Sequence, residues 1–207
     1  MSNIWTTIPL EDYERHMSHE TVGQLDLLNR LTQKYYQLLK PKSILFAGVS
    51  GGNGLEYIDG SVTDEVVGID INQEYLGETS KRYSKKIPGL RLLSIDILDR
   101  KGIMKANFIW AALVLEYTGV VPFFEFALNN VASRADLIIS IQSNNGVQSV
   151  SATGVDSVKS LGEIFQLVEP TELTNTATKF EFDQLNFEEN FLPNGKSIKT
   201  FHFRKKA

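Results

Sequence analysis

The stretch SILFAGVSGGNGLEYI, from Ser43 to Ile58, sets an apolar run, Ile44-Leu45-Phe46-Ala47, against Gly48, Gly51, Gly52 and Gly54. Each glycine costs backbone entropy on folding, so four together at a strand end imply that something must approach the bare backbone. Two acids stand in a matching register. Asp70 closes the apolar run EVVGID, roughly 20 residues after the first glycine, where a carboxylate can accept hydrogen bonds from ribose hydroxyls. Asp96 closes a further run, LLSID, at the end of a third strand. A glycine loop alone is a weak signal; loop, Asp70 and Asp96 in one register point to a nucleotide-like ligand.

The elements that must position these residues follow from periodicity. Val22, Leu25, Leu28, Leu31, Tyr35 and Leu38 recur at spacings of three and four, which predicts an amphipathic helix from Ser18 to Leu39, ended by Lys40-Pro41. Strands are expected at 43–47, 65–69, 90–95, 108–112 and 136–142. Helices are expected around Leu55–Asp59, from a cap at Asn72 to about Lys86, and over about Pro122–Ala132. Continuous apolar strands alternating with helices make a parallel sheet covered on both faces. Residues 143–160, rich in Ser, Asn, Gly and Val, read as a long loop or lid. Two short helices split by Glu169-Pro170 follow, and then a β-hairpin around Pro193-Asn194-Gly195-Lys196. The expected organisation is one domain: a helical lid segment 1–41, a ligand-binding core 42–142, and a region 143–207 of lid loop, short helices and hairpin.

Composition excludes several classes. With 21 basic and 25 acidic side chains the formal charge is −4, so no basic surface advertises nucleic acid. The absence of cysteine removes disulfides, thiolate metal sites and cysteine nucleophiles. Met1–Leu10 has neither a basic start nor an apolar core, so no secretory signal is expected. No run approaches the ~18 apolar residues of a membrane span. A cytoplasmic protein, monomer or homodimer, is the expectation.

From about Lys42 to Arg204 the chain resembles the class I S-adenosylmethionine-dependent methyltransferases. The resemblance lies in FAGVSGGNG, VVGID, SIDIL, NFIWAALVLEY and the terminal hairpin. It implies a Rossmann-like, doubly wound sheet of seven strands, the last inserted antiparallel, and S-adenosyl-L-methionine as cofactor. It further implies that Gly48, Ser50, Gly52 and Asn53 follow the methionine and ribose part, that Asp70 holds the ribose hydroxyls, that Ile71 packs on the adenine, and that Asp96 and Ile97 meet its edge and ring. The family usually carries an acid inside the first strand's end, where this chain has Phe46, and Ser50 replaces the loop's middle glycine. A nicotinamide dinucleotide is the competing ligand, but it favours G-x-G-x-x-G opening directly into a helix, and Gly48-Val49-Ser50-Gly51-Gly52-Asn53 misses that register.

A sulfonium methyl brings its own reactivity, so positioning matters more than any one catalytic side chain. Glu116 and Tyr117, after the fourth strand, are the catalytic candidates, set against plain roles as a helix-start acid and a packing aromatic. Tyr13, His16 and Gln24 are candidates for a lid lining the pocket. His16 and His19 are spaced for a shared metal, but no third ligand is evident and none is expected. His202 lies within an alternating strand and reads as structural. No Asn-Pro-Pro-Tyr motif is present. The expected function is methylation of a small-molecule acceptor, with no nucleic-acid or membrane partner; the alternative is a protein of this fold that binds cofactor or partner without turnover.

Overall fold

The computed structural model describes residues 3–207; the first two residues of the stretch read for a signal lie outside them. A 3-10 turn, Ile4–Thr7, leads into α1 (Leu10–Ser18) and α2 (Gln24–Leu39). Then come β1 (Ser43–Ala47), β2 (Glu65–Asp70), α3 (Gln73–Tyr83), β3 (Leu90–Ser94) and β4 (Ala106–Ala112). These are followed by α4 (Leu115–Thr118), α5 (Val120–Asn130), β5 (Val131–Ser143), α6 (Leu161–Ile164), α7 (Pro170–Lys179), β6 (Phe182–Phe191) and β7 (Ser197–Lys205).

The seven strands form one sheet in the order β3-β2-β1-β4-β5-β7-β6, and β7 runs antiparallel between β5 and β6. This is the expected doubly wound sheet with a terminal hairpin. The alternation along each strand explains its two buried faces. On β1, Ile44 and Phe46 pack with Leu28, Leu31 and Tyr35 of α2, while Leu45 and Ala47 face the opposite core with Phe123, Phe124 and Phe126 of α5. Leu45 stands level with Val67 on one neighbour and Ile109 on the other, so apolar side chains meet in rows across the central strands. The aromatic segment 121–126 therefore belongs to a core helix, with Val121 turned outward and Pro122 and Glu125 half-buried.

Two expected helices differ. The helix predicted from Ser18 is broken: Gly23 adopts φ +62, and His19 bonds the amide and hydroxyl of Thr21, closing a local turn that competes with helix. Val22, counted in the periodicity, is buried in that turn. The helix predicted around Leu55–Asp59 is only the 3-10 turn Leu55–Tyr57. Gly54, at φ +94, would place a Cβ within 2.9 Å of three Thr32 atoms, so the crossover from β1 to β2 lies flat against α2. That face of the sheet is covered by a helix that precedes β1 rather than one that follows it.

Candidate functional site

Strand order reverses between β1 and β4, and in open sheets the crevice beyond the strand ends at such a point is where ligands bind. A cavity with about 140 Å³ of free volume lies there. Its floor is Gly48, whose φ of +73 and 2.8 Å approach of a notional Cβ to Val114 leave room for no side chain. Ser50, also at positive φ, donates its backbone N–H to Asp70 Oδ2 at 2.9 Å. Asp70 Oδ1 accepts from the Asn72 amide at 2.9 Å, so one carboxylate ties the glycine loop to the start of α3. Burial raises the Asp70 pKa, and these backbone donors oppose the shift.

Ile71, Asp96 and Ile97 complete the far wall. Asp96 Oδ1 accepts from the Leu98 amide at 2.9 Å and caps the turn that presents Ile97. Gly52 and Asn53 do not reach this cavity. A side chain on Gly52 would strike Tyr83, and Asn53 clamps the loop to α2 by accepting from Asn29 Nδ2 at 2.7 Å and donating to the Leu25 carbonyl at 3.0 Å.

Two aromatic residues that sequence reasoning passed over line the same space. Tyr75, in the first turn of α3, is buried, its hydroxyl has no hydrogen-bond partner, and its ring stacks on Tyr13 with centroids 6.2 Å apart. The position of Tyr75 just after a capped helix start was the available signal. Trp5 roofs the cavity from the N-terminal turn, where its carbonyl accepts from Asn72 Nδ2 at 2.9 Å. The Trp5 ring stands edge-on between Tyr13 (5.5 Å) and Tyr117 (4.9 Å).

Trp5, Tyr13, Leu113 and Tyr117 also border a second cavity of about 40 Å³. This one sets His16, Gln24, Gln142 and Ser149 among Met17, Val150, Leu161 and Phe165. Gln24 Nε2 donates to Gln142 Oε1 at 2.6 Å, and Gln142 Nε2 donates to Asn144 Oδ1 and to the Ser149 carbonyl. His16 Nδ1 pairs with Thr153 Oγ1 at 2.8 Å, and burial lowers the His16 pKa to about 4, so the ring is neutral at pH 7. His19 faces Thr21 instead, so the two histidines do not converge.

Glu116 stands behind this junction, wholly buried. Its Oε1 accepts from the Gln142 amide at 2.7 Å, while Oε2 has no partner. Burial pushes its pKa up to about 7; burial also raises the pKa of Tyr13 and Tyr117, and the Glu116 charge adds to both shifts, after Asp70 in the case of Tyr13. Thus Tyr117 reaches both cavities, whereas Glu116 lies just beneath their walls. His202 is elsewhere: its Nε2 pairs with Asp136 Oδ1 at 2.6 Å beside Arg204, within the sheet.

No family model and no curated protein matches the sequence. Solved structures do match along nearly the whole chain. The magnesium protoporphyrin IX methyltransferase ChlM from Synechocystis PCC 6803, with bound S-adenosylhomocysteine, superposes with TM-score 0.70 at 13% identity, covering 95% of this chain and 94% of that one. The N-methyltransferase NodS from Bradyrhizobium japonicum WM9, in complex with S-adenosylhomocysteine, gives 0.65 at 14%, covering 96% and 98%. The chain has the class I methyltransferase fold. Within that fold the [4+2]-cyclase SpnF also superposes, with TM-score 0.68 at 11% identity over 88% of this chain and 82% of its own, so the fold carries more than one chemistry. Among the described residues no helix is long and apolar enough to cross a membrane.

Proposed function

We propose that the chain is an S-adenosylmethionine-dependent methyltransferase acting on a small-molecule acceptor. The observation that carries this reading is the pair of cavities that share Trp5, Tyr13 and Tyr117: one with glycine floor and strand-end acids, the other small, with His16, Gln24 and Gln142 among apolar side chains. The residues present fit the cofactor. Gly48 and Ser50 would follow its methionine part, Asp70 its ribose hydroxyls, and Asp96, Ile71 and Ile97 its adenine. The unpartnered hydroxyls of Tyr75 and Ser50 are donors still to be used there. When bound, the cofactor supplies a methyl group on a sulfonium whose departing sulfur is neutral.

The chain's own part is position and dryness. The N-terminal segment up to residue 41 closes over the site, residues 42–142 hold the cofactor, and residues 143–207 build the acceptor side. Glu116 lines neither cavity, so it would act on the acceptor through the walls, by its hold on the Gln142 amide, rather than by direct contact. Cytoplasmic residence accords with this role.

Calorimetry with S-adenosylmethionine, S-adenosylhomocysteine and NAD tests the reading: the first two should bind in the micromolar range and NAD should not. NAD binding alone would overturn it. The second reading, cofactor binding without methyl turnover, rests on Phe46, which is buried against α2 where the family's acid would stand. It predicts saturable S-adenosylmethionine binding with no S-adenosylhomocysteine formed on any acceptor.

A further inference from the structure

Four aromatic side chains from distant stretches wall the smaller cavity: Trp5 of the N-terminal turn, Tyr13 of α1, Tyr117 of α4 and Phe165, just after α6. Their rings meet nearly at right angles. Trp5 stands at 82° to Tyr13 and at 89° to Tyr117, and Tyr117 stands at 83° to Phe165. Perpendicular walls make a box rather than a stack. A ring face is negative and its edge positive, so a ligand lying against several faces is favoured when it carries positive charge. The box is not closed by its own packing: about 40 Å³ stays open, which at about 10–15 Å³ per water holds roughly three waters.

The charges around the box favour the same sign of ligand. No lysine or arginine lines either cavity. His16 is neutral at pH 7, and the buried Lys196 gives its ammonium to the Ser149 carbonyl outside both linings. Asp70, Asp96 and Glu116, by contrast, accept from backbone amides and face no cation among the described residues. Glu116 lies directly behind the box: it precedes Tyr117 in the chain, and its Oε1 holds the amide of Gln142, which lines the cavity. Its Oε2 is buried without a partner, and a buried carboxylate is costly to ionise unless a positive charge stands near it.

We infer that the aromatic box receives the nitrogen of an amine acceptor. This rests on the reading of the chain as a methyltransferase. The nitrogen lone pair forms the new bond to the methyl carbon while the carbon–sulfur bond breaks, its electron pair going to sulfur. Positive charge thus passes from sulfur to nitrogen, and a proton then leaves the nitrogen for water. The ring faces suit that charge as it arrives, so they favour the transition state over the neutral amine. A hydroxyl or thiol acceptor loses its proton to attack and ends neutral, and gains nothing from such walls. The substrate class is therefore a small primary or secondary amine.

The test is a titration of the full chain with saturating S-adenosylhomocysteine present, at pH 7 and constant ionic strength. It is read at the indole N–H resonance of Trp5, with that of the buried Trp110 as internal control. Ethylammonium is the probe, ethanol its uncharged counterpart of equal size, and acetate the anion. Ethylammonium should shift the Trp5 resonance saturably and bind about fivefold tighter than ethanol, with no saturable response to acetate and Trp110 unmoved. Y117L keeps an apolar wall but removes a ring face; it should weaken ethylammonium about threefold and leave ethanol unchanged, while Y117F should bind like the native chain. F165L alters the smaller cavity alone, and should weaken ethylammonium similarly with affinity for S-adenosylhomocysteine unchanged. Ethanol binding as tightly as ethylammonium, or ethylammonium binding unaltered in Y117L, overturns the assignment and leaves the cofactor reading intact. If Y117L does not fold, F165L and the ethylammonium and ethanol comparison on the native chain decide. Failure of S-adenosylhomocysteine to bind, with ethylammonium still preferred, would sink the methyltransferase reading and leave the box as a cation site.

Discussion

Asp70 holds two backbone amides, of Ser50 and Asn72, before any ligand arrives. Asp70→Ala should therefore act twice. Losing a charge-assisted pair to ribose hydroxyls should weaken S-adenosylhomocysteine binding by about 2–3 kcal/mol. Stranding two buried amides should lower stability by about 1–3 kcal/mol. Calorimetry and denaturant melts separate the two effects; intact affinity in a folded variant would remove Asp70 from the site. Glu116 carries a pH signature. Its folded pKa, about 7, lies above the ordinary 4.5, so the folded chain holds a proton that the unfolded chain has lost between those values. Stability should fall as pH rises from about 4.5 to about 7 and level off above. Glu116→Gln should escape that loss, gaining on the order of 3 kcal/mol over the native chain at pH 8 relative to pH 4.5. A difference between the two chains that is the same at both pH values would show that the carboxylate is not buried as described. Asp70 and Asp96 were legible because strand-end acids mark themselves by position. Tyr75 and Trp5 were not: a tyrosine in a helix turn and a tryptophan in a short N-terminal turn acquire meaning only when folding places them against a cavity.

At the scale of elements, most strands were readable nearly to their ends, because runs such as EVVGID are buried on both faces, but β5 begins at Val131, where the sequence led to a helix as far as Ala132 and a strand only from Asp136. The N-terminal helices were misread for a local reason. Periodicity continued through Val22, but the αL conformation of Gly23 turned the chain. The absent crossover helix has the same kind of cause: Leu55 and Ile58 are apolar at helical spacing, yet a 3-10 turn against α2 buries them equally well. The short turn Ile4–Thr7 has no buried residue of its own, so its value lies in what it covers. Trp5→Ala should leave the melting temperature within a few degrees. Removing a ring that meets both Tyr13 and Tyr117 should cost about 1.4 kcal/mol, or tenfold, in S-adenosylhomocysteine affinity. A large drop in melting temperature with unchanged affinity would recast Trp5 as scaffold.

Across the whole molecule, three distant stretches meet around the smaller cavity. His16 of α1 bonds Thr153, Asp12 accepts from Ser157, and the hairpin turn bonds Ser149 and Ser151. Hydrogen exchange should show residues 10–19 and 143–160 gaining protection together when cofactor and acceptor bind. Protection confined to residues 48–54 would mean that no lid closes. The β6–β7 turn adds a mechanical consequence. Pro193 packs on Gly23 at the joint between α1 and α2, Asn194 and Lys196 bond Ser151 and Ser149, and Asn145 holds the Gly195 carbonyl. The turn is thus a keystone, and the two strands behind it are its lever arm, with the outer arm, β6, free along one side. An acceptor that orders this turn would, by reciprocity, steady β6 at the far edge of the sheet by the same free energy.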